Sequence, residues 1–313
     1  MRRLESLEEV ARGAGEVWLK DDGVFGGPWG GNKVRKLEWV LADVLGKRRR
    51  TIFTAGALGT NHGLATALYA REVGLRAALA LVDQPLDAHV RRQIDRIERS
   101  GARVYRTRGT LRTVALLPLM LGAHTDWRRL RPPYFLAVGG SSALGTLGYV
   151  EAALELAGQV ERGELPRPRQ IVVALGSGGT AAGLVLGLAL ANLDSDLVAV
   201  QVNDRVPRDE RRIIRLAQRA RRLLERRGAK PLPTAIGRGL RVEGHWLGAG
   251  YGHRTAEADR AQELARVEQL ELEPVYTAKA MAALLGLRER GELGDGPVLY
   301  WHTYNARPEG GAV

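Results

Sequence analysis

The sequence predicts an α/β protein of two doubly wound domains with parallel sheets, and three observations predict it. Near-continuous apolar runs such as Ile171-Val172-Val173-Ala174-Leu175 read as strands covered on both faces. These runs alternate with helical patterns along most of the chain, the order that builds parallel sheets through crossover helices. Glycine-rich turns follow several of the runs and open the next helix. At 313 residues the chain is longer than a single core readily supports. We therefore expect a large domain from 1–45 with 153–313 and a small domain over 46–152.

The expected strands are Glu16–Lys20, Thr51–Thr54, Ala77–Val82, Arg103–Arg106, Tyr134–Val138, Gln170–Leu175, Leu197–Val202 and Val298–His302. Helical patterns lie between them at Lys33–Leu45, His62–Val73, Ala88–Arg99, Gly145–Ala157, Gly179–Leu193 and Ala256–Leu270. Prolines near Arg131-Pro132-Pro133 and Pro166-Arg167-Pro168 mark loops.

Apolar residues make up 45% and charged residues 26% of the chain, ordinary for a globular protein. No apolar run approaches the roughly 20 residues of a membrane span. The start, Met1-Arg2-Arg3-Leu4-Glu5, lacks an apolar signal core. These features predict a cytoplasmic protein with no membrane partner. The absence of cysteine excludes disulfides and thiolate metal sites. The six histidines are scattered without ligand spacing, so no metal site is expected, and His89 and His124 read as surface or structural residues.

The net charge of +12 raises the question of a nucleic-acid partner. Only six of the 47 basic residues are lysine. The densest stretch, Arg205 to Lys230, interleaves arginines with Ile213, Ile214, Leu216, Leu223 and Leu224. It reads as an amphipathic helix with a solvated basic face, so no nucleic-acid partner is expected. A positive field also suits an anionic substrate or cofactor.

The chemistry concentrates in five segments. Lys33 and Lys36 follow the glycine-rich stretch Gly23–Gly31, in Gly30-Gly31-Asn32-Lys33-Val34-Arg35-Lys36. Asn32 reads as the N-cap of the next helix, which places both lysines on one helix face. The helix dipole there opposes a cation and favours a neutral, nucleophilic amine. Next, Gly176-Ser177-Gly178-Gly179-Thr180 leaves a strand and opens a helix, a cradle for phosphate. The same loop with Ala181 also fits a dinucleotide fingerprint, with Asp204 as the ribose acid, so an NAD(P) oxidoreductase stays open at this point. Thr60-Asn61-His62 opens another helix and suits a substrate carboxylate. Gly139-Gly140-Ser141 has the same form, and Glu273-Pro274-Val275-Tyr276-Thr277 brings an aromatic and a hydroxyl to a helix start.

Taken together and in order, Gly30–Glu38, Thr60–His62, Gly139–Ser141, Gly176–Thr180, Pro274–Thr277 and His302-Thr303 resemble the D-cysteine desulfhydrase and 1-aminocyclopropane-1-carboxylate (ACC) deaminase family. The resemblance runs from about Leu4 to Thr303. It implies the tryptophan-synthase-β-like fold (fold type II), pyridoxal 5′-phosphate as cofactor, and a homodimer. It also implies residue roles. Lys33 corresponds to the Schiff-base lysine, and Lys36 with the Gly176–Thr180 backbone (Ser177, Gly178 and Gly179 included) to the phosphate site. Asn61 corresponds to the partner of the cofactor 3′-oxygen, and Tyr276 to the tyrosine on the pyridine ring. Tyr251 corresponds to a second active-site tyrosine. Thr60 stands where the family places a serine that contacts substrate and assists proton transfer. His62 belongs to the substrate-binding set, and Thr277 and Thr303 to the cofactor set.

Three positions favour the desulfhydrase branch. His62 stands where the deaminases carry Gln, Thr277 where they carry Glu, and Thr303 where they carry Leu. A neutral Thr277 implies a weaker electron sink than a carboxylate beside the pyridine nitrogen, enough for β-elimination and less suited to opening a cyclopropane ring. The implied reaction is β-elimination from a small amino acid, giving pyruvate, ammonia and, from D-cysteine, sulfide. Two departures bear on the pocket. Thr60 adds a methyl that is expected to crowd it, and Tyr304-Asn305 replaces a Gly-Gly pair. The chain also lacks the family's usual terminal extensions.

Overall fold

The computed structural model describes residues 1–10, 15–204 and 209–307. Its larger sheet has six strands in the order β1 (Arg2–Arg3), β2 (Val17–Asp21), β10 (Val298–His302), β7 (Gln170–Leu175), β8 (Asp196–Gln201), β9 (Leu240–Glu243). All neighbours are parallel except β1 and β2. The smaller sheet is parallel throughout, in the order β5 (Arg103–Arg108), β4 (Arg76–Val82), β3 (Thr51–Ala57), β6 (Tyr134–Phe135).

Strand β7 shows why its sequence is uniformly apolar. Alternate side chains point to opposite faces, and each face meets its own helices. Ile171, Val173 and Leu175 pack with α6 (Ala143–Glu161), α7 (Gly179–Leu190) and α8 (Glu210–Arg226). Val172 and Ala174 pack with α9 (Ala256–Val267) and α10 (Thr277–Glu289). Strand β4 divides likewise. Ala77, Leu79 and Leu81 join a core with α2 (Asn32–Gly46), α3 (Asn61–Glu72) and α4 (Ala88–Arg99). Ala78 and Ala80 join Phe53 and Met120 of α5 (Thr110–Ala123).

Most expected elements are present within a few residues. The expected strand Tyr134–Val138 stops at Phe135, because Val138–Gly140 turns into a 3-10 helix with Gly139 and Gly140 at φ 68°. Helix α5, which the periodicity did not single out, carries Pro118 and buries only Thr113 and Met120. The basic stretch forms α8, with Ile213, Ala217 and Ala220 inward and Arg211, Arg222 and Arg226 exposed. Its leading Arg205 lies outside the described residues. Among the described residues, no helix is long and apolar enough to cross a membrane.

Candidate active site

The predicted site residues line one cavity of about 370 Å³ at the C-terminal ends of strands from both sheets. Helices α2, α3, α5, α7 and α10 begin at this cavity, so five helix starts face it. Lys33, Lys36, Thr60, Asn61, His62, Gly176, Ser177, Gly178, Thr180, Tyr251, Tyr276, Thr277 and Thr303 all belong to the lining. Gly179 lies directly behind: a Cβ there would fall 3.1 Å from Lys36 Nζ.

The glycine-rich turn leads into α2 by a route only glycine permits. Gly31 has φ 88°, and a Cβ would lie 2.6 Å from the Thr303 carbonyl oxygen. The expected cap is shifted by one: Gly31 is the N-cap and Asn32 the first helical residue. The Asn32 side chain does other work. Its amide donates to Thr180 Oγ1 at 3.2 Å, and its oxygen accepts from Lys33 Nζ at 2.9 Å. One side chain thus links the Lys33 amine to the first turn of α7. Burial pushes the Lys33 amine down to about 8, against the opposing pull of Glu273.

Lys36, one turn on, is only 2% exposed. It donates to the Gly139 carbonyl at 3.2 Å and has no ion-pair partner among the described residues. Burial, then the charge of Lys33, hold its amine well below the usual lysine range. A buried cation without a counter-charge is costly, and a bound anion would remove that cost. The surroundings suit a phosphate. Ser141 Oγ lies 2.7 Å from Ser177 Oγ and accepts from the Gly179 N–H at 2.9 Å. Gly178 takes φ 90° to start α7 with no side-chain cap. Hydroxyls, helix amides and Lys36 converge as an anion site requires.

Arg35, between the two lysines, faces the opposite way. It pairs with buried Asp22 at 2.8 Å and with Glu155 at 2.9 Å. Asp22 also accepts from Tyr149 Oη and Trp301 Nε1. This hub anchors α2, so the motif divides between cavity-facing lysines and a structural arginine.

Thr60 caps α3, its hydroxyl accepting the Gly63 N–H at 3.0 Å. Its methyl sits against Gly63, where a Cβ would lie 2.5 Å away. The Asn61 side-chain oxygen accepts from the buried Gln93 amide, which leaves the Asn61 amide N–H groups as donors at the cavity wall. Thr54 Oγ1 donates to the Leu136 carbonyl, so His62 Nε2–H donates to Thr54 at 3.1 Å. His62 Nδ1 is then a buried acceptor with no partner, and burial holds the ring neutral.

Two groups with no predicted role shape the far wall. Glu273, 3% exposed, accepts the N–H groups of Val275, Tyr276 and Thr277 and so caps α10. The Thr277 hydroxyl accepts the Glu273 N–H at 2.8 Å and donates to the Glu273 carbonyl at 3.3 Å, which leaves it one acceptor lone pair. A carboxylate just ahead of a helix start, where free N–H groups need acceptors, was the signal available in the sequence. Asn305 accepts the Gly30 N–H at 2.6 Å, which gives the Tyr304-Asn305 departure a positioning role in the glycine-rich turn. Lys279 donates to the Leu247 carbonyl at 2.7 Å and Asp204 accepts the Tyr251 N–H at 3.1 Å, fixing the loop that carries Tyr251. Asp204 is therefore engaged in holding that loop rather than standing ready for a ribose.

The family model described as pyridoxal-phosphate dependent enzyme matches residues 1–303, which overturns the dinucleotide reading of the Gly176–Ala181 turn. A D-cysteine desulfhydrase of Salmonella paratyphi A is 35% identical over 297 residues, 93% of this chain and 87% of that protein. A solved ACC deaminase homologue is 32% identical with a TM-score of 0.80, covering 97% of this chain and 88% of that one. The serine racemase of Dictyostelium discoideum shares the fold at 15% identity, with a TM-score of 0.64 over 98% and 92% of the two chains.

Proposed function

The chain belongs to the pyridoxal-phosphate dependent enzymes, with their α/β fold of type II, and we propose that it is a lyase of the D-cysteine desulfhydrase kind. On this reading it removes the β-substituent of a small amino acid and releases pyruvate and ammonia, with sulfide when the substrate is D-cysteine. The observation that carries the reading is the meeting, in one cavity, of the Lys33 amine, the start of α3 and the Gly176–Thr180 turn.

Lys33 would hold the cofactor aldehyde. Lys36, Ser177, Gly178, Gly179, Thr180 and Ser141 would hold its phosphate. The cofactor supplies an electron sink for the pair left at the substrate α-carbon. The Lys33 amine, pushed by burial to about 8, would be placed to take the substrate α-proton. The amides at the start of α3, with Thr60, orient the substrate carboxylate. The Asn61 amide would donate to the cofactor oxygen beside the aldehyde. Tyr276 lies over Gly176, where a Cβ would be 2.9 Å from its ring, and Tyr251 meets the leaving group. His62 offers its buried Nδ1 as an acceptor at the substrate side, and Thr303 closes the cofactor wall.

Ring opening of ACC is the second reading, supported by the 32% identical solved homologue. The neutral Thr277, its hydroxyl tied to the Glu273 backbone, favours elimination. Release of 2-oxo acid and ammonia tests both: pyruvate from a panel of D- and L-amino acids, and 2-oxobutanoate from ACC. Sulfide and pyruvate from D-cysteine with no 2-oxobutanoate from ACC is expected; the reverse overturns the reading.

The reading extends to a cytoplasmic homodimer of two domains, divided at 46–152, that takes no nucleic acid. Support for the division is that the small sheet draws all its strands from that span. Support for the dimer is the apolar outer face of α5, where Leu111 is 89% and Leu119 72% exposed. Sedimentation velocity of wild type and Leu111→Arg/Leu119→Arg reads the dimer directly.

A further inference from the structure

A second cavity, of about 520 Å³, shares the Glu273 and Tyr304 walls of the first. It opens between α4, on the small sheet, and α9, on the large one. Arg92 and Arg96 of α4 line it from one side, and Arg254 and Arg266 from the other, with His89 between.

Three carboxylates share this lining: Asp87, Glu271 and Glu273. Two are already engaged by helix starts. Asp87 accepts the Val90 N–H at 2.7 Å, and Glu273 caps α10. Arg254 is paired with Asp259 at 2.6 Å and donates to Gln262 at 3.0 Å. Arg92 and Arg266, both exposed, have no ion-pair partner among the described residues. The cavity therefore holds more guanidinium than carboxylate, and guanidinium forks match phosphate and carboxylate groups.

A hydrogen-bond relay joins this cavity to the first. Arg96 Nη1 donates to Gln93 Oε1 at 2.8 Å. The fully buried Gln93 amide donates to the Asn61 side-chain oxygen. Asn61 lines the cofactor cavity. An anion that draws on the Arg96 guanidinium competes with Gln93 for it, and the orientation of Asn61 follows.

We propose that the arginine-lined cavity is a second binding site, for a small polyanion carrying two or more phosphate or carboxylate groups. Its occupant bridges α4 and α9 and is sensed at the cofactor through Arg96, Gln93 and Asn61. The relay rests on the cofactor assignment above; the site itself does not.

The holoenzyme, whose phosphate cradle is already filled, is titrated by calorimetry with inorganic pyrophosphate and separately with citrate at fixed ionic strength. One saturable site per chain is expected. Arg92→Ala and Arg266→Ala each weaken it about tenfold, the scale of one lost charged hydrogen bond. Arg222→Ala, on the exposed face of α8, leaves it unchanged. Saturation by pyrophosphate alone identifies a phosphate ligand, and by citrate alone a carboxylate ligand. The visible cofactor band shifts with the same midpoint in wild type and stays fixed in Gln93→Met, which still binds. Unsaturable binding, or equal weakening by Arg222→Ala, overturns the site and leaves only attraction to a basic protein. An unaltered shift in Gln93→Met overturns the relay.

Discussion

The Tyr276 hydroxyl donates to the Tyr251 hydroxyl at 3.0 Å, with the rings 6.0 Å apart and inclined at 77°. The pair joins the start of α10 to the loop held by Lys279 and Asp204. A phenol oriented by a second phenol is suited to passing a proton toward a leaving group. Tyr251→Phe keeps the ring and its backbone anchors, so the cofactor band should persist while kcat falls about 10²- to 10⁴-fold. Steady-state kinetics beside an absorbance spectrum checks this; unchanged kcat would remove Tyr251 from the chemistry.

The Lys33 amine is held near 8 by burial, below an ordinary lysine, and only the unprotonated amine attacks an aldehyde. The rate at which cofactor-free protein takes up pyridoxal phosphate should therefore rise with pH through about 8 and level off above it. Glu273 opposes the depression by favouring the ammonium, so Glu273→Gln should move that midpoint to lower pH. Stopped-flow absorbance across pH 6 to ~10 spans the window set by Lys33 and an ordinary lysine. Lys33→Ala should show neither the band nor turnover.

Lys36 has opposite effects on the empty and loaded protein. Its buried amine has no ion-pair partner among the described residues and is held well below the usual lysine range, so Lys36→Met should stabilise the cofactor-free chain by on the order of 1 kcal/mol. The same substitution should weaken cofactor binding about 10- to 100-fold through loss of a charged phosphate contact. Urea unfolding and equilibrium dialysis read the two separately. A destabilised empty protein would show that the Gly139 carbonyl already compensates the charge.

Thr60 caps α3 through its hydroxyl, and its methyl lies on Gly63. Thr60→Ser should keep stability within about 0.5 kcal/mol, whereas Thr60→Ala should cost about 1 kcal/mol. If the hydroxyl also serves the substrate, Thr60→Ala alone loses kcat beyond what its lowered stability explains. Equal activity of the two variants at 25 °C, a temperature at which both stay folded, would confine Thr60 to capping.

Much of this site was legible because its chemistry lies in short segments. The spacing of Lys33 and Lys36 puts both on one face of any helix, and the turns at Thr60, Gly139 and Gly176 each announce a strand running into a helix start. Strand β7 reads as buried on both sides from its composition alone. The motif could not say that Arg35 turns away to Asp22, nor that Asn32 bridges Lys33 and Thr180 instead of capping. Helix α5 escaped because its apolar residues surround the helix, leaving no period to detect.

By itself the sequence determined the alternation of strands and helices and the helix starts at Lys33, Thr60 and Gly176–Thr180, since these depend on residues a few positions apart. Only the tertiary structure decided which polar groups meet: Glu273 with the start of α10, Asn305 with Gly30, and Arg92, Arg96, Arg254 and Arg266 around one cavity. The physical reason is that local periodicity sets which way a side chain faces. The partner of a buried polar group is set by which segments the two sheets and their helices bring within hydrogen-bonding distance.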